Sequence, residues 1–219
     1  MVRPVPGSSR RRVPCFRSEK GAASFSRSLR YRWLLERHWP VSAGLGCSPD
    51  RIRTLIFCGL NPSSADAQGD DPTLRRLVAF ARQWGYGRLV VLNLFALVTP
   101  SPAHLLRHHR PKGAANDAVL RHWIHQWSKR AHWDLWIGWG SNGGLRGQDQ
   151  WFLAHLETVQ DRRRRSGGAP VFCLGITRAG HPRHPLYLPG NTQQQPWPAA
   201  EQAEIGHPEA MVSAITVRP

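Results

Sequence analysis

The feature that most constrains this chain is a series of short apolar runs alternating with segments of helical periodicity. Residues 52–60 carry Ile52, Leu55, Ile56 and Phe57 in a run of strand length, which stops at the turn pair Asn61-Pro62. Asp71-Pro72 reads as an N-cap followed by Pro at the first helical position. Leu74, Leu77, Val78 and Ala81 then recur at i, i+3, i+4 and i+7, which predicts an amphipathic helix to about Trp84, closed by Gly85-Tyr86-Gly87. A second strand is expected over residues 88–97, where Leu89, Val90, Val91 and Leu92 are continuous. After a loop with Pro100, Pro102 and Pro111, Leu120, Trp123, Ile124 and Trp127 predict a helix from about Ala114. A third strand follows at residues 134–139. Phe152, His155, Leu156 and Val159 then mark a third helix that ends in Arg162 to Arg165, and residues 171–176 form the fourth strand. Strands apolar on both faces and separated by helices belong to a parallel sheet covered on both sides. The expected fold class is α/β.

Charge is unevenly spread along this pattern. The 219 residues hold 30 Lys+Arg against 14 Asp+Glu, a formal charge of +16, while 41% hydrophobic residues suffice for a buried core. Up to Arg37, ten basic side chains meet only Glu19 and Glu36, among many Pro, Gly and Ser residues. Residues 1–30 are therefore expected to be a basic disordered tail, either a phosphate-binding arm or a solvated extension. Residues 31–189 are expected to form a single α/β domain. Residues 190–219, rich in Gln, Pro and Glu, should be a loosely ordered tail. No run of about 18 apolar residues suggests a membrane span, and no apolar stretch behind the N-terminal basic residues suggests a secretory signal. A cytoplasmic protein is expected, monomeric by default, with nucleic acid or a nucleotide as the partner that its charge suits. Cys15, Cys47, Cys58 and Cys173 include no C-x-x-C pair, so neither a metal nor a disulfide framework is implied. Cys58 and Cys173 fall inside apolar runs and read as small core residues.

In open α/β sheets, ligands bind beyond the carboxyl ends of the strands, so each exit is a candidate site. The first is Gly59-Leu60-Asn61-Pro62-Ser63-Ser64, the second contains Asn93, and the third is Gly138-Trp139-Gly140-Ser141-Asn142-Gly143. The fourth leads to Arg183-His184-Pro185-Leu186-Tyr187. An amide inside an apolar strand must find partners or cost about 1–3 kcal/mol. Asn93 is therefore either bonded to neighbouring backbone or aimed into a pocket. Asn61 is either ordinary turn chemistry or a polar group at the exit. His184 sits between Pro182 and Pro185, which stiffen its backbone. Gly138-x-Gly140-x-x-Gly143 has the form of a dinucleotide fingerprint, but it follows the third strand and the next helix starts only near Gln148, so no such cofactor is expected. His104 and His108, at i and i+4, lack a carboxylate or thiol to complete a metal site and read as surface residues. Asp71 reads as a cap and Asp66 and Asp70 as solvated acids; alternatively the three meet a sugar hydroxyl or a metal on a nucleotide.

Several segments, in order, carry a resemblance. They are Gly59-Leu60-Asn61-Pro62-Ser63-Ser64-Ala65-Asp66-Ala67, Asp70-Asp71-Pro72-Thr73-Leu74-Arg75-Arg76, Trp84-Gly85-Tyr86-Gly87, Val91-Leu92-Asn93-Leu94-Phe95-Ala96, Asn116-Asp117, Trp139-Gly140 and Pro182-Arg183-His184-Pro185-Leu186-Tyr187-Leu188. Together they resemble the bacterial and phage family of domain of unknown function 1643, over residues 31–189. More distantly, Gly59-Leu60-Asn61-Pro62-Ser63 is similar to the first motif of mismatch-type uracil-DNA glycosylases. The segment from Val91 to Thr99 resembles the glycosylase strand whose Asn reads the base. Leu135 to Ser141 resembles the next strand, ending in Trp-Gly, and His184-Pro185 falls at the His-Pro motif of that superfamily.

This resemblance implies a four-stranded parallel sheet of order 2-1-3-4 with helices on both faces, and cleavage of an N-glycosidic bond. As catalytic residues, Asn61 would orient water and His184 would donate to the base oxygen. Asn93 would pair with a flipped base. Gly59, Pro62, Ser63, Ser64, Asp71, Gly140, Arg183 and Tyr187 complete the implied substrate-binding set, with Arg183 and the amides of Ser63 and Ser64 on phosphate. No cofactor is implied. The chain departs from the glycosylase pattern where His184-Pro185 continues as Leu186-Tyr187 rather than Ser-Pro, and no wedge residue is identifiable. Two other function classes stay open: a non-catalytic nucleic-acid-binding module, and a metal-assisted hydrolase or transferase of small nucleotides.

Overall fold

The computed structural model describes residues 14–40 and 52–197. Its centre is the first of the expected strands, β4 (Thr54–Gly59), in which every residue is buried, as a strand covered on both faces requires. The other strands are β1 (Cys15–Ser18), β2 (Gly21–Phe25), β3 (Arg32–His38), β5 (Arg88–Asn93), β6 (Trp133–Ile137), β7 (Phe172–Cys173) and β8 (Gln195–Pro196). The helices are α1 (Pro72–Gln83), α2 (Pro102–Arg107), α3 (Asn116–Ser128), α4 (Gln148–Glu157) and α5 (Gln160–Arg165). One sheet contains all eight strands in the order β1-β2-β3-β5-β4-β6-β7-β8.

The fold is α/β, but the sheet is mixed and has eight strands where four parallel ones were expected. β4 pairs parallel with β5 and β6, and β6 with β7. These are the four expected strands, and they form the interior of the sheet. The antiparallel additions are β3 against β5, a β1–β2–β3 meander beyond it, and β8 against β7.

The N-terminal additions correct the expectation of an unstructured segment through residue 30. Beneath its charges the segment alternates: β2 buries Gly21, Ala23 and Phe25 and turns Ala22 and Ser24 outward. That period of two is enough for a strand once an edge is available to pair with. Residues 1–13 of the expected N-terminal tail and 198–219 of the expected C-terminal tail lie outside the described residues. Within the expected C-terminal tail, Gln195 and Pro196 pair with β7. The fourth expected strand shrinks to two residues, because the chain turns at Gly175, whose φ of +97° suits glycine. The third expected helix breaks into α4 and α5 around Thr158 and Val159.

Alternation along the central strands divides the core into two layers. Leu55, Phe57, Leu89, Val91 and Trp136 face Leu74, Leu77, Phe80 and Ala81 of α1. Ile56, Cys58, Val90, Leu92, Leu135 and Ile137 face Leu120, Trp123, Ile124 and Trp127 of α3 and Phe152 and Leu156 of α4. Cys58 and Cys173 are both fully buried, and burial raises both thiols above their ordinary range.

Candidate functional site

Parallel pairing brings the carboxyl ends of the strands to one rim, with Gly59 of β4 directly beside Asn93 of β5. A cleft of about 640 Å³ opens there. Gly59, Asn61 and Ser63 enter it from the β4 exit, Asn93 from β5, and Trp139 and Gly140 from the β6 exit. Asp71 and Thr73 come from the start of α1, and Arg183, His184 and Tyr187 from the segment after β7. Of the residues singled out in the sequence, Pro62 and Ser64 do not line the cleft; Pro62 is buried and Ser64 is exposed.

Asn61 is anchored through its nitrogen. Nδ2 donates towards the carbonyls of Pro62 (3.0 Å), Thr99 (2.8 Å) and Leu97 (3.4 Å), tying the β4 exit to the loop after β5. Its Oδ1 has no hydrogen-bond partner among the described residues, so the group left for a ligand is an acceptor. Asn93 differs. It is 6% exposed, and its backbone carbonyl accepts from Nδ2 of Asn116 at 2.9 Å, yet its own side chain makes no hydrogen bond within the described residues. Donor and acceptor are both left facing the cleft. Gly59 makes room for this amide: a Cβ there would lie 3.1 Å from Asn93 Oδ1 and 2.9 Å from the Phe57 ring.

His184 is held by its first nitrogen. Nδ1 accepts from the backbone N–H of Leu186 at 3.3 Å, at the start of the 3-10 turn Pro185–Tyr187. Burial lowers its pKa below the ordinary imidazole value, partly opposed by the Asp71 carboxylate. The ring is therefore neutral near pH 7, with its proton on Nε2 as a donor. Gly140, at φ +74°, donates to the Pro182 carbonyl at 2.9 Å and would place a Cβ 3.4 Å from that of His184. Arg183 is exposed, with its N–H on the Gly175 carbonyl at 2.9 Å, and Tyr187 is 80% exposed at the rim.

The three acids have separate roles. Asp71 Oδ1 accepts from the N–H of Leu74 at 2.7 Å and caps α1. Asp66 Oδ1 accepts from the N–H groups of Gly69 (2.7 Å) and Gln68 (2.8 Å), which hold its carboxyl below the usual range despite some burial. Asp70 is the carboxylate partner of buried Arg37, from whose Nε and Nη2 it accepts at 2.9 and 2.7 Å. Among the described residues, no group of three or more His, Cys, Asp or Glu side chains is placed to hold a metal. His108 is buried rather than on the surface, packed edge-on against His104 with ring centroids 5.7 Å apart. The glycine-rich exit of β6 serves packing: a Cβ on Gly143 would lie 1.9 Å from the Trp139 indole.

Arg32 is a charged cleft residue that the sequence did not single out. It enters from β3, is 5% exposed, and donates from Nη1 to the Ala65 carbonyl at 2.6 Å. Nε is buried with no partner, and no carboxylate among the described residues lies within ion-pair distance. Burial pushes its pKa down to about 10, with Asp71 and Asp66 opposing this and Arg37 adding to it. Tyr31, Trp33, Leu34 and Leu35 around it mark a folded segment in the sequence, but not the face that Arg32 takes.

Fold and site together define an α/β protein with a polar cleft at the carboxyl ends of its parallel strands. Residues 32–186 match the family described as "Protein of unknown function (DUF1643)", well over half of the chain, and the chain belongs to that family. No curated protein and no solved structure matches it. Among the described residues, no helix is long and apolar enough to cross a membrane.

Proposed function

We propose that the cleft binds a nucleobase-bearing ligand and that the protein hydrolyses its N-glycosidic bond. The observation that carries this reading is the Asn93 side chain, buried at the strand exit with its amide unspent. Neither polar atom of this amide is spent among the described residues, so both can exchange cleft water for a ligand edge presenting one acceptor and one donor side by side. Nucleobases present such edges. The similarity of the strand exits to uracil-DNA glycosylase motifs supports the same reading, and the +16 charge suits a phosphate-bearing substrate.

The roles follow from which atoms are left available. Asn61 Oδ1 accepts a hydrogen bond from water and directs its oxygen at the anomeric carbon of the sugar. As the C–N bond breaks, its electron pair leaves with the base. His184 Nε2–H then donates to the base oxygen on which negative charge grows, an oxyanion-hole role suited to a neutral imidazole. The proton lost by water ends on the departing base.

The test is base release. Purified protein is incubated with single- and double-stranded DNA carrying uracil or other altered bases, and with free nucleotides; products are identified by mass spectrometry. A free base is expected from one substrate class, with the rate reduced about 10²–10³-fold in His184→Ala and similarly in Asn61→Ala. If no substrate yields base while salt-sensitive binding to DNA persists, hydrolysis is wrong and the protein is a binding module.

A further inference from the structure

We infer that Arg32 is a phosphate-binding residue and that the ligand is a monomeric nucleotide with a terminal phosphate. This rests on the nucleobase reading of Asn93 and narrows it to a substrate class. The observations for the phosphate site itself are independent of Asn93. Arg32 is 5% exposed, faces the cleft, spends one terminal nitrogen on the Ala65 carbonyl and has no ion-pair partner among the described residues. A buried guanidinium is retained at high cost unless an anion meets it, and its planar fork fits phosphate oxygens.

Accessibility selects the monomer. Arg32 and Asn93 are each less than a tenth exposed, so the phosphate and the base must both enter the cleft. A phosphodiester within a strand carries a sugar on each side and cannot follow its phosphate to a group so deeply set. A terminal phosphate is compact enough to do so. The volume of about 640 Å³ falls in the range of small-molecule sites, roughly 300–1,000 Å³. Asp71, with Oδ1 committed to Leu74, keeps its second oxygen for a sugar hydroxyl. Arg183, exposed at the mouth, adds positive charge along the entry path.

Calorimetric titration tests this without catalysis. Wild type is titrated with the common 5′- and 3′-nucleoside monophosphates, the matching nucleosides, inorganic phosphate, and a mixed-sequence DNA octamer bearing hydroxyls at both ends. At least one monophosphate is expected to bind about tenfold or more tighter than its nucleoside, with the octamer weaker than that monophosphate. Arg32→Gln should remove the advantage of the phosphate and leave nucleoside affinity unchanged, whereas Asn93→Ala should weaken both ligands. Circular dichroism establishes that the variants fold; should Arg32→Gln not fold, the wild-type comparison decides alone. Equal affinity for nucleoside and monophosphate, with nucleoside binding still lost in Asn93→Ala, overturns the phosphate site and leaves the nucleobase reading intact. An octamer binding tighter than every monophosphate likewise overturns it. Binding of none of these probes overturns both.

Discussion

His184 shows how one side chain's surroundings set a measurable protonation behaviour. Its Nδ1 must stay unprotonated to accept from Leu186, and burial also disfavours the imidazolium, outweighing the attraction of Asp71. The folded-state pKa is thus below the unfolded value of about 6.5. The neutral ring's contribution to stability is complete above pH 6.5. It is lost as pH falls from there through the folded pKa, because the unfolded chain takes up the proton first. Long-range ¹H–¹⁵N spectra of the imidazole across this interval should give a midpoint below 6.5, with Nε2 carrying the proton on its alkaline side. A midpoint at or above 6.5 would contradict the assigned donor. Asn61, Asn93 and His184 were legible in the sequence because each interrupts an apolar or Pro-stiffened run at a strand exit. Arg32 was not, since an inward-facing Arg among many basic residues looks like its outward-facing neighbours until strand pairing assigns the faces.

At the scale of elements, the run Arg162 to Arg165 reads in the sequence as the polar end of a helix. One member behaves otherwise. Arg163 in α5 is 3% exposed, and its guanidinium donates to the carbonyls of Ala169 (2.8 Å), Trp127 (3.0 Å), Arg130 (2.7 Å) and Trp133 (2.7 Å). It lies over the Trp127 ring at 4.5 Å and meets Asp134 at 3.4 Å. This side chain ties α5 to the end of α3 and the start of β6. Gly168 is what lets it in, since a Cβ there would lie 2.0 Å from Cζ of Arg163. Arg163→Met leaves these buried acceptors unpaired and is expected to cost about 3–5 kcal/mol. Arg165→Met, at an exposed position, should stay within about 0.5 kcal/mol. Urea unfolding of the two variants separates them; equal costs would show that burial of Arg163 matters little. Periodicity alone could not have found this, because the helix pattern identifies the apolar face and says nothing of a charge satisfied by carbonyls.

Across the whole molecule, the antiparallel extension decides how the site loop is supported. The family match begins at Arg32, so β1 and β2 precede it, yet both are continuous with the sheet that ends at the cleft. Ala23 and Phe25 of β2 pack with Ala67, and Ser18 Oγ donates to the Ala67 carbonyl at 2.6 Å. Arg37, next in from the same meander, donates to the Asp66 carbonyl at 2.6 Å and pairs with Asp70. The segment from Ala65 to Asp70 therefore rests on the hairpin, and it connects the carbonyl that holds Arg32 to the cap of α1. Read from composition, this hairpin disappears into a basic tail, because its strands are short and the order between them is supplied by pairing with β3 rather than by propensity. Removing residues 1–30 is expected to unpair the edge of β3, which offers a template for association. It also removes Phe25 from its buried contacts, a loss of about 3 kcal/mol or more. The truncated chain should unfold at lower urea concentration, elute partly as aggregates in size-exclusion chromatography, and exchange its amide hydrogens faster between Ala65 and Asp70. Removing residues 1–13 keeps β1 and β2 and serves as the comparison. If both truncations unfold at the same urea concentration and neither aggregates, the hairpin does not support the site. If only the longer deletion loosens the segment from Ala65 to Asp70, the N-terminal strands belong to the working architecture of the cleft.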